Sequence, residues 1–179
     1  MNKMLVVIDM QNDFIDGALA NESAKAIIPN IITKIKSGDY HFFAATKDTH
    51  GEDYLRTSEG IKLPVSHCIK GTPGWEINKE ILDELPSNTL VIEKPTFGYI
   101  EWAKTLSAYF DDTFPEDFPS EIELVGTCTD ICVVSNALLL RAAYPSIKIV
   151  VHADCCAGVT PEKHEAALEV MRSCQIEVI

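Results

Sequence analysis

The chain has 179 residues, of which 46% are hydrophobic, 23% charged and 8% aromatic. That composition excludes a disordered or fibrous protein, and a chain of this length buries about 70% of its unfolded surface without needing cross-links. Fifteen Lys and Arg against 27 Asp and Glu leave a net charge of −12, a field that argues against nucleic acid as a partner.

Leu5-Val-Val-Ile8 is an apolar run ending at Asp9, which predicts a strand buried on both faces. This opening is too short for a secretory signal, and no run approaches the roughly 20 residues of a membrane span, so a cytoplasmic protein is expected. Residues 21–37 carry Ala26, Ile27, Ile31, Ile32 and Ile35 at helical spacing, with Pro29 marking a kink or a later start. Residues 40–46 predict a second strand after Gly38-Asp39. Four more are expected at 88–92, 121–125, 147–151 and 176–179. Helices are expected near 101–109, 130–143 and 161–172, the last with Thr160 as N-cap and proline in its first turn.

Residues 51–74 read as a long connection, and residues 111–121 (DDTFPEDFPSE) as an acidic surface loop with no assigned role. There is no internal repeat and no linker, so residues 1–179 are expected to form one domain. Alternating strands and helices predict an α/β, three-layer Rossmann-like fold, a mostly parallel sheet flanked by helices. In such sheets ligands bind beyond the carboxyl ends of the strands, where the strand order reverses. Asp9, Lys47-Asp48, Lys94 and residues 126–132 all fall at that edge.

Six cysteines without a secretory signal, most among apolar neighbours, predict free thiols. In Gly126-Thr-Cys-Thr-Asp-Ile-Cys132-Val133, a strand runs into a helix. Cys132 is then either an inert buried thiol or a nucleophile whose thiolate the helix N-terminus stabilises, with main-chain amides ready to hold an oxyanion. Cys128 and Cys132 fit no strong zinc spacing. Asp9 alone would read as a turn cap and Lys94 as a solvated lysine. Their convergence with the thiol supplies a base and a cation for a cysteine nucleophile. Asp48 and His50, two residues apart, point the same way in an extended chain, and His67 arrives from the long connection. They are either a solvated pair with an unrelated histidine or three N/O ligands of a metal with open positions. His152 and His164 show no partner spacing.

The chain resembles the isochorismatase-like cysteine hydrolases, and within them the nicotinamidase branch. The matching pieces are Val7-Ile-Asp9-Met-Gln-Asn-Asp-Phe14, Thr46-Lys-Asp48-Thr-His50, His67-Cys-Ile-Lys-Gly-Thr-Pro-Gly74, Lys94-Pro-Thr-Phe-Gly98 and residues 126–133. Asp154-Cys-Cys-Ala157 with His164 resembles the family's closing strand and helix. The resemblance implies a six-stranded sheet, a catalytic Asp9, Lys94 and Cys132, and a cis Thr127–Cys128 bond that points the Cys128 and Cys132 amides at an oxyanion. It also implies one divalent metal, zinc before iron or manganese, on Asp48, His50 and His67. That ion holds the pyridine nitrogen of nicotinamide as it is hydrolysed to nicotinate and ammonia through a thioester, in pyridine nucleotide salvage. Phe14 and Phe97 are the expected pocket walls. Leu63-Pro64 stands where several nicotinamidases carry an aromatic residue. The partner is a small amide, with no nucleic acid or membrane, and homo-oligomers are frequent in the family. The alternatives are another small-amide hydrolase of this fold, pyrazinamidase-like or acting on ureido groups, or a metal- or ligand-binding domain without catalysis.

Overall fold

A computed structural model describes residues 2–113 and 118–179. Its strands are β1 (Lys3–Ile8), β2 (Phe42–Asp48), β3 (Leu90–Lys94), β4 (Glu121–Thr127), β5 (Lys148–Ala157) and β6 (Glu177–Val178). They form one six-stranded sheet in the order β3-β2-β1-β4-β5-β6, with every neighbouring pair parallel. The order reverses between β1 and β4, so a crevice is expected beyond their carboxyl ends. Asp9 leaves β1 at that edge, Asp48 and Lys94 are the last residues of β2 and β3, and Cys128 follows β4 directly.

The helices are α1 (Asn12–Ile15), α2 (Glu22–Ala26), α3 (Ile28–Lys36), α4 (Ser58–Lys62), α5 (Lys79–Leu82), α6 (Trp102–Thr113), α7 (Val134–Ala143) and α8 (Pro161–Ser173). Alternate residues of a strand face opposite sides, and β1 serves two cores in this way. Met4, Val6 and Ile8 pack with Trp102 and Leu106 of α6, Leu140 of α7 and Met171 of α8. Leu5 and Val7 pack with Ile28, Ile31 and Ile35 of α3 and Ile81 of α5. Each such side chain, when fully buried, contributes about 1.5–3 kcal/mol, which is what holds the sheet edge rigid beneath the site.

The strands expected at 40–46 and 88–92 lie two residues later, the helix expected near 101–109 spans Trp102–Thr113, and three further expectations change. The helix expected over 21–37 is two, broken at Ile27 with Pro29 in the first turn of α3, because proline lacks the N–H an interior turn needs. The strand expected at 147–151 runs on to Ala157. After a register shift between Leu124 and Gly126, β4 pairs again with Cys156 and Ala157. The helix expected at 130–143 opens with a wider π turn over Thr129–Val133 before α7 begins. Thr160 caps α8 as expected, accepting from the Lys163 amide. Of the acidic loop 111–121, residues 114–117 lie outside the described residues. Among the described residues, no helix is long and apolar enough to cross a membrane.

Candidate active site

Asp9 leaves β1 with φ +48°, a left-handed conformation that aspartate tolerates better than most residues. The turn is wedged against the end of β4, where Gly126 has φ +124° and any Cβ would lie 2.1 Å from the Ile8 carbonyl oxygen. Only glycine lets the thiol-bearing segment come this close to the aspartate. The carboxyl of Asp9 is wholly buried. Thr46 Oγ1 donates to its Oδ1 at 2.6 Å, and Lys94 Nζ lies 2.6 Å from its Oδ2. The same ammonium is 3.7 Å from Cys132 Sγ and 3.5 Å from Asp48 Oδ1.

Burial raises Asp9 above the usual carboxylate range, against the pull of Lys94, and the Asp48 charge adds to the rise. Burial works against charge on Lys94, but Asp9, Cys132 and Asp48 outweigh it and keep the ammonium. Burial, followed by the Asp9 charge, lifts the Cys132 thiol well above its ordinary value although Lys94 opposes them. This corrects the expectation of a resting thiolate: at 5% exposure, desolvation of sulfur outweighs the helix terminus. The site therefore rests as a thiol beside a base, and the proton leaves when the bond forms.

Asp48 and His50 meet His67 as the sequence suggested, and a fourth donor joins them. Ligand atoms of Asp48, His50, Glu59 and His67 all lie within 4.8 Å of one another. Asp48 Oδ2 is 3.0 Å from His50 Nε2 and 3.5 Å from His67 Nε2. Glu59 Oε1 is 3.6 Å and 3.9 Å from the same two nitrogens. His67 Nδ1 bonds to the Val65 carbonyl at 2.8 Å, so Nε2 is the nitrogen that could reach a metal. Two imidazoles and two carboxylates suit a divalent ion such as zinc, iron or manganese, so the donor set fits the expected metal. Glu59 escaped sequence reading because, in the first turn of α4 two residues after the N-cap Thr57, nothing distinguishes it from a solvated glutamate.

A cavity of about 500 Å³ opens over both groups and is lined by Phe14, Leu63, Phe97, Cys128, Cys132, Asp48 and Glu59. Phe14 also packs on His67, with ring centroids 5.6 Å apart. The Thr127–Cys128 bond is cis. Asn136, fully buried on α7 and missed in the sequence, ties the wall to the Cys132 backbone. Its Nδ2 donates to the Phe97 carbonyl at 3.0 Å and to the Cys132 carbonyl at 2.8 Å. Its Oδ1 accepts from the Tyr99 amide and Trp102 Nε1.

His152 and His164 do not line the cavity. All six cysteines are free thiols. His152 is buried against Glu123, and His164 Nδ1 lies 2.8 Å from Thr129 Oγ1.

A family model for the isochorismatase domain matches residues 3–179. The chain is 28% identical over 194 residues to the nicotinamidase/pyrazinamidase of Mycobacterium tuberculosis, covering 99% of this chain and 98% of the relative. It is 32% identical over 180 residues to PncA, an isochorismatase family protein of Bacillus subtilis, covering 94% and 93%. The pyrazinamidase of Pyrococcus horikoshii in complex with zinc superposes with a TM-score of 0.79 at 26% identity, covering 100% of this chain and 99% of that one. With its full-length match and its six-stranded parallel sheet, the chain belongs to the isochorismatase-domain family.

Proposed function

We propose that residues 1–179 act as one hydrolase domain that converts nicotinamide to nicotinate and ammonia, in the cytoplasm and in pyridine nucleotide salvage. The observation that carries this reading is the buried Lys94 ammonium, which touches both the Asp9 carboxylate and the Cys132 sulfur. An acid, an amine and a thiol sealed together at the floor of a cavity have no evident packing role, and desolvating them is costly unless their charges are used.

Asp9 takes the proton of Cys132 as sulfur attacks the carboxamide carbon. The main-chain amides of Cys128 and Cys132 hold the developing oxyanion. Protonated Asp9 then gives its proton to the leaving nitrogen, and ammonia departs to leave a thioester. Asp9, again a carboxylate, takes a proton from water as the water oxygen attacks the thioester, and the proton returns to sulfur as nicotinate leaves. Lys94 keeps the negative charge that passes between Asp9 and Cys132 stable in a dry site. Asp48, His50, Glu59 and His67 would hold a divalent ion, zinc in our reading, which would supply Lewis acidity toward a ring nitrogen. Phe14 and Phe97 flank the ring. Support for the substrate class comes from the relatives named nicotinamidase and pyrazinamidase.

Leu63 on the cavity wall favours a second reading within the same chemistry, because an aliphatic side chain stacks less selectively on a pyridine ring. Ammonia release across nicotinamide, pyrazinamide, benzamide and ureido substrates, with and without chelator, tests both. Nicotinamide turnover that fails under chelation is the expected result. Ammonia from none of them overturns the amidase reading.

A further inference from the structure

The segment Asp9-Met-Gln-Asn-Asp13 leaves β1 at the sheet edge, and the proposed chemistry uses only its first residue. Gln11 is 0% exposed, and its side chain does not line the cavity. Its side chain is spent on main chain. Oε1 accepts from the Asp48 amide at 2.7 Å. Nε2 donates to the Asp48 carbonyl at 2.8 Å and to the Trp75 carbonyl at 2.9 Å.

The sheet explains the need. Ladder pairing of β1 with β2 runs only to Ile8 opposite Thr46, because β1 turns away at Asp9. Asp48, two residues further along β2, would otherwise have lost its strand partner on that side. The amide of Gln11 is a donor and acceptor of the same kind as a peptide group. It therefore fills the missing position and holds both the N–H and the C=O of Asp48. Asp13 repeats the device across the site. Its Oδ2 accepts from the Cys68 amide at 2.7 Å, next to His67, at a residue with φ +46°.

We propose that Gln11 is a positioning residue for the metal site, fixing the Asp48 ligand through its main chain. One turn of chain thereby sets the general base and, two residues on, the metal carboxylate in a single frame. The inference rests on the metal reading given above. Groups that orient ligands without touching the ion typically change metal affinity 10–100-fold when removed.

The test compares full-length wild type with Gln11→Met and Gln11→Asn, each stripped of metal and titrated with zinc against a competing chelator. Both substitutions leave the net charge unchanged, so a change in affinity reads geometry. Asn keeps the amide but falls one methylene short. The expected result is a zinc dissociation constant raised about 10–100-fold, with turnover lost at limiting zinc and restored at saturating zinc. A purely structural role would lower the melting temperature without recovery by zinc, and that outcome overturns the inference. So does an affinity within about twofold of wild type in either folded variant. Wild type that takes up no zinc refutes the metal centre itself, and the inference with it. Wild type that binds zinc beside variants that bind equally well refutes only the role of Gln11.

Discussion

Lys94 Nζ sits 2.6 Å from Asp9 Oδ2 with both side chains wholly buried. Each charge is tolerable there only because of the other. The pair also faces two ways, since the ammonium reaches Cys132 on one side and Asp48 on the other. A single lysine thus joins the reacting thiol to the proposed metal site. Their pH behaviour and their tolerance of substitution follow from that link.

Removing the cation tests the link. In Lys94→Ala, Asp9 keeps the burial that raises it and loses the charge that lowers it, so its pKa rises further. Asp9 acts as an ionised base, and the acid limb of kcat/KM reports its ionisation in the free enzyme. That limb is expected to move to higher pH by ~1–3 units. An unmoved limb in a pH–rate profile leaves Lys94 with a structural role only.

The nucleophile can be identified by where alkylation occurs and what it does. Cys174 is exposed while Cys132 is buried with its thiol held protonated. Iodoacetamide is therefore expected to modify Cys174 without loss of turnover. Inactivation follows modification of Cys132 and is slowed by bound substrate. Cys132→Ala is expected to abolish turnover and Cys174→Ala to preserve it. Peptide mapping of the modified protein against residual activity checks the order, and full activity in Cys132→Ala removes the mechanism.

The sheet and the sheet-edge residues were legible because their signals are local. An apolar run ending in Asp9 or Lys94 marks a buried strand with a polar tip, and strand–helix alternation fixes parallel pairing. Asp48 and His50 share a face by spacing alone. Glu59 was not legible, because a glutamate early in a five-residue helix looks solvated until the 54–67 connection folds over His50. Asn136 and Gln11 were missed for a related reason. Most of their partners are main-chain groups 37 to 64 residues away or on the next turn, and no periodicity encodes that. The thiol state of Cys132 was misjudged because helix position is visible in a sequence, whereas depth of burial is not.

Far from the cavity, Glu123 offers a stability test. It is buried on β4 and bonded to His152, to Tyr40 at 2.6 Å and to Lys3 at 2.9 Å. Burial works against its charge, but those bonds outweigh it and hold the carboxyl well below the usual range. A depressed folded pKa contributes stability above the unfolded value of about 4.3, lost as pH falls toward the folded value. Glu123→Gln is expected to cost about 3–5 kcal/mol near neutral pH, as when one partner of a buried pair is removed. Its melting temperature should also fall less than that of wild type below about pH 4. Parallel acid limbs in melting curves of the two proteins refute the assignment.

The proposed metal site would separate orientation from bond making. In the proposed mechanism Cys132 and Asp9 carry the chemistry, so chelation or His50→Ala is expected to cripple nicotinamide hydrolysis while leaving Cys132 open to a small alkylating agent. Benzamide has the carboxamide but no ring nitrogen, and is expected to be a poor substrate of the metal-loaded enzyme with little response to chelator. Glu59 sharpens the test, because its oxygen stands 3.6 Å and 3.9 Å from the two histidine nitrogens yet it is more exposed than Asp48. Glu59→Gln keeps an oxygen donor and its reach, and removes one negative charge from the four donors. Its zinc affinity is expected to fall by about 10–100-fold, and His50→Ala, which deletes a ligand outright, is expected to lose more. Chelator competition gives both constants, and metal content of the purified protein gives the stoichiometry. No stoichiometric ion, together with turnover insensitive to chelator, refutes the metal reading. The thiol, Asp9 and Lys94 would then remain as the apparatus of an amidase that orients its substrate by the cavity walls alone.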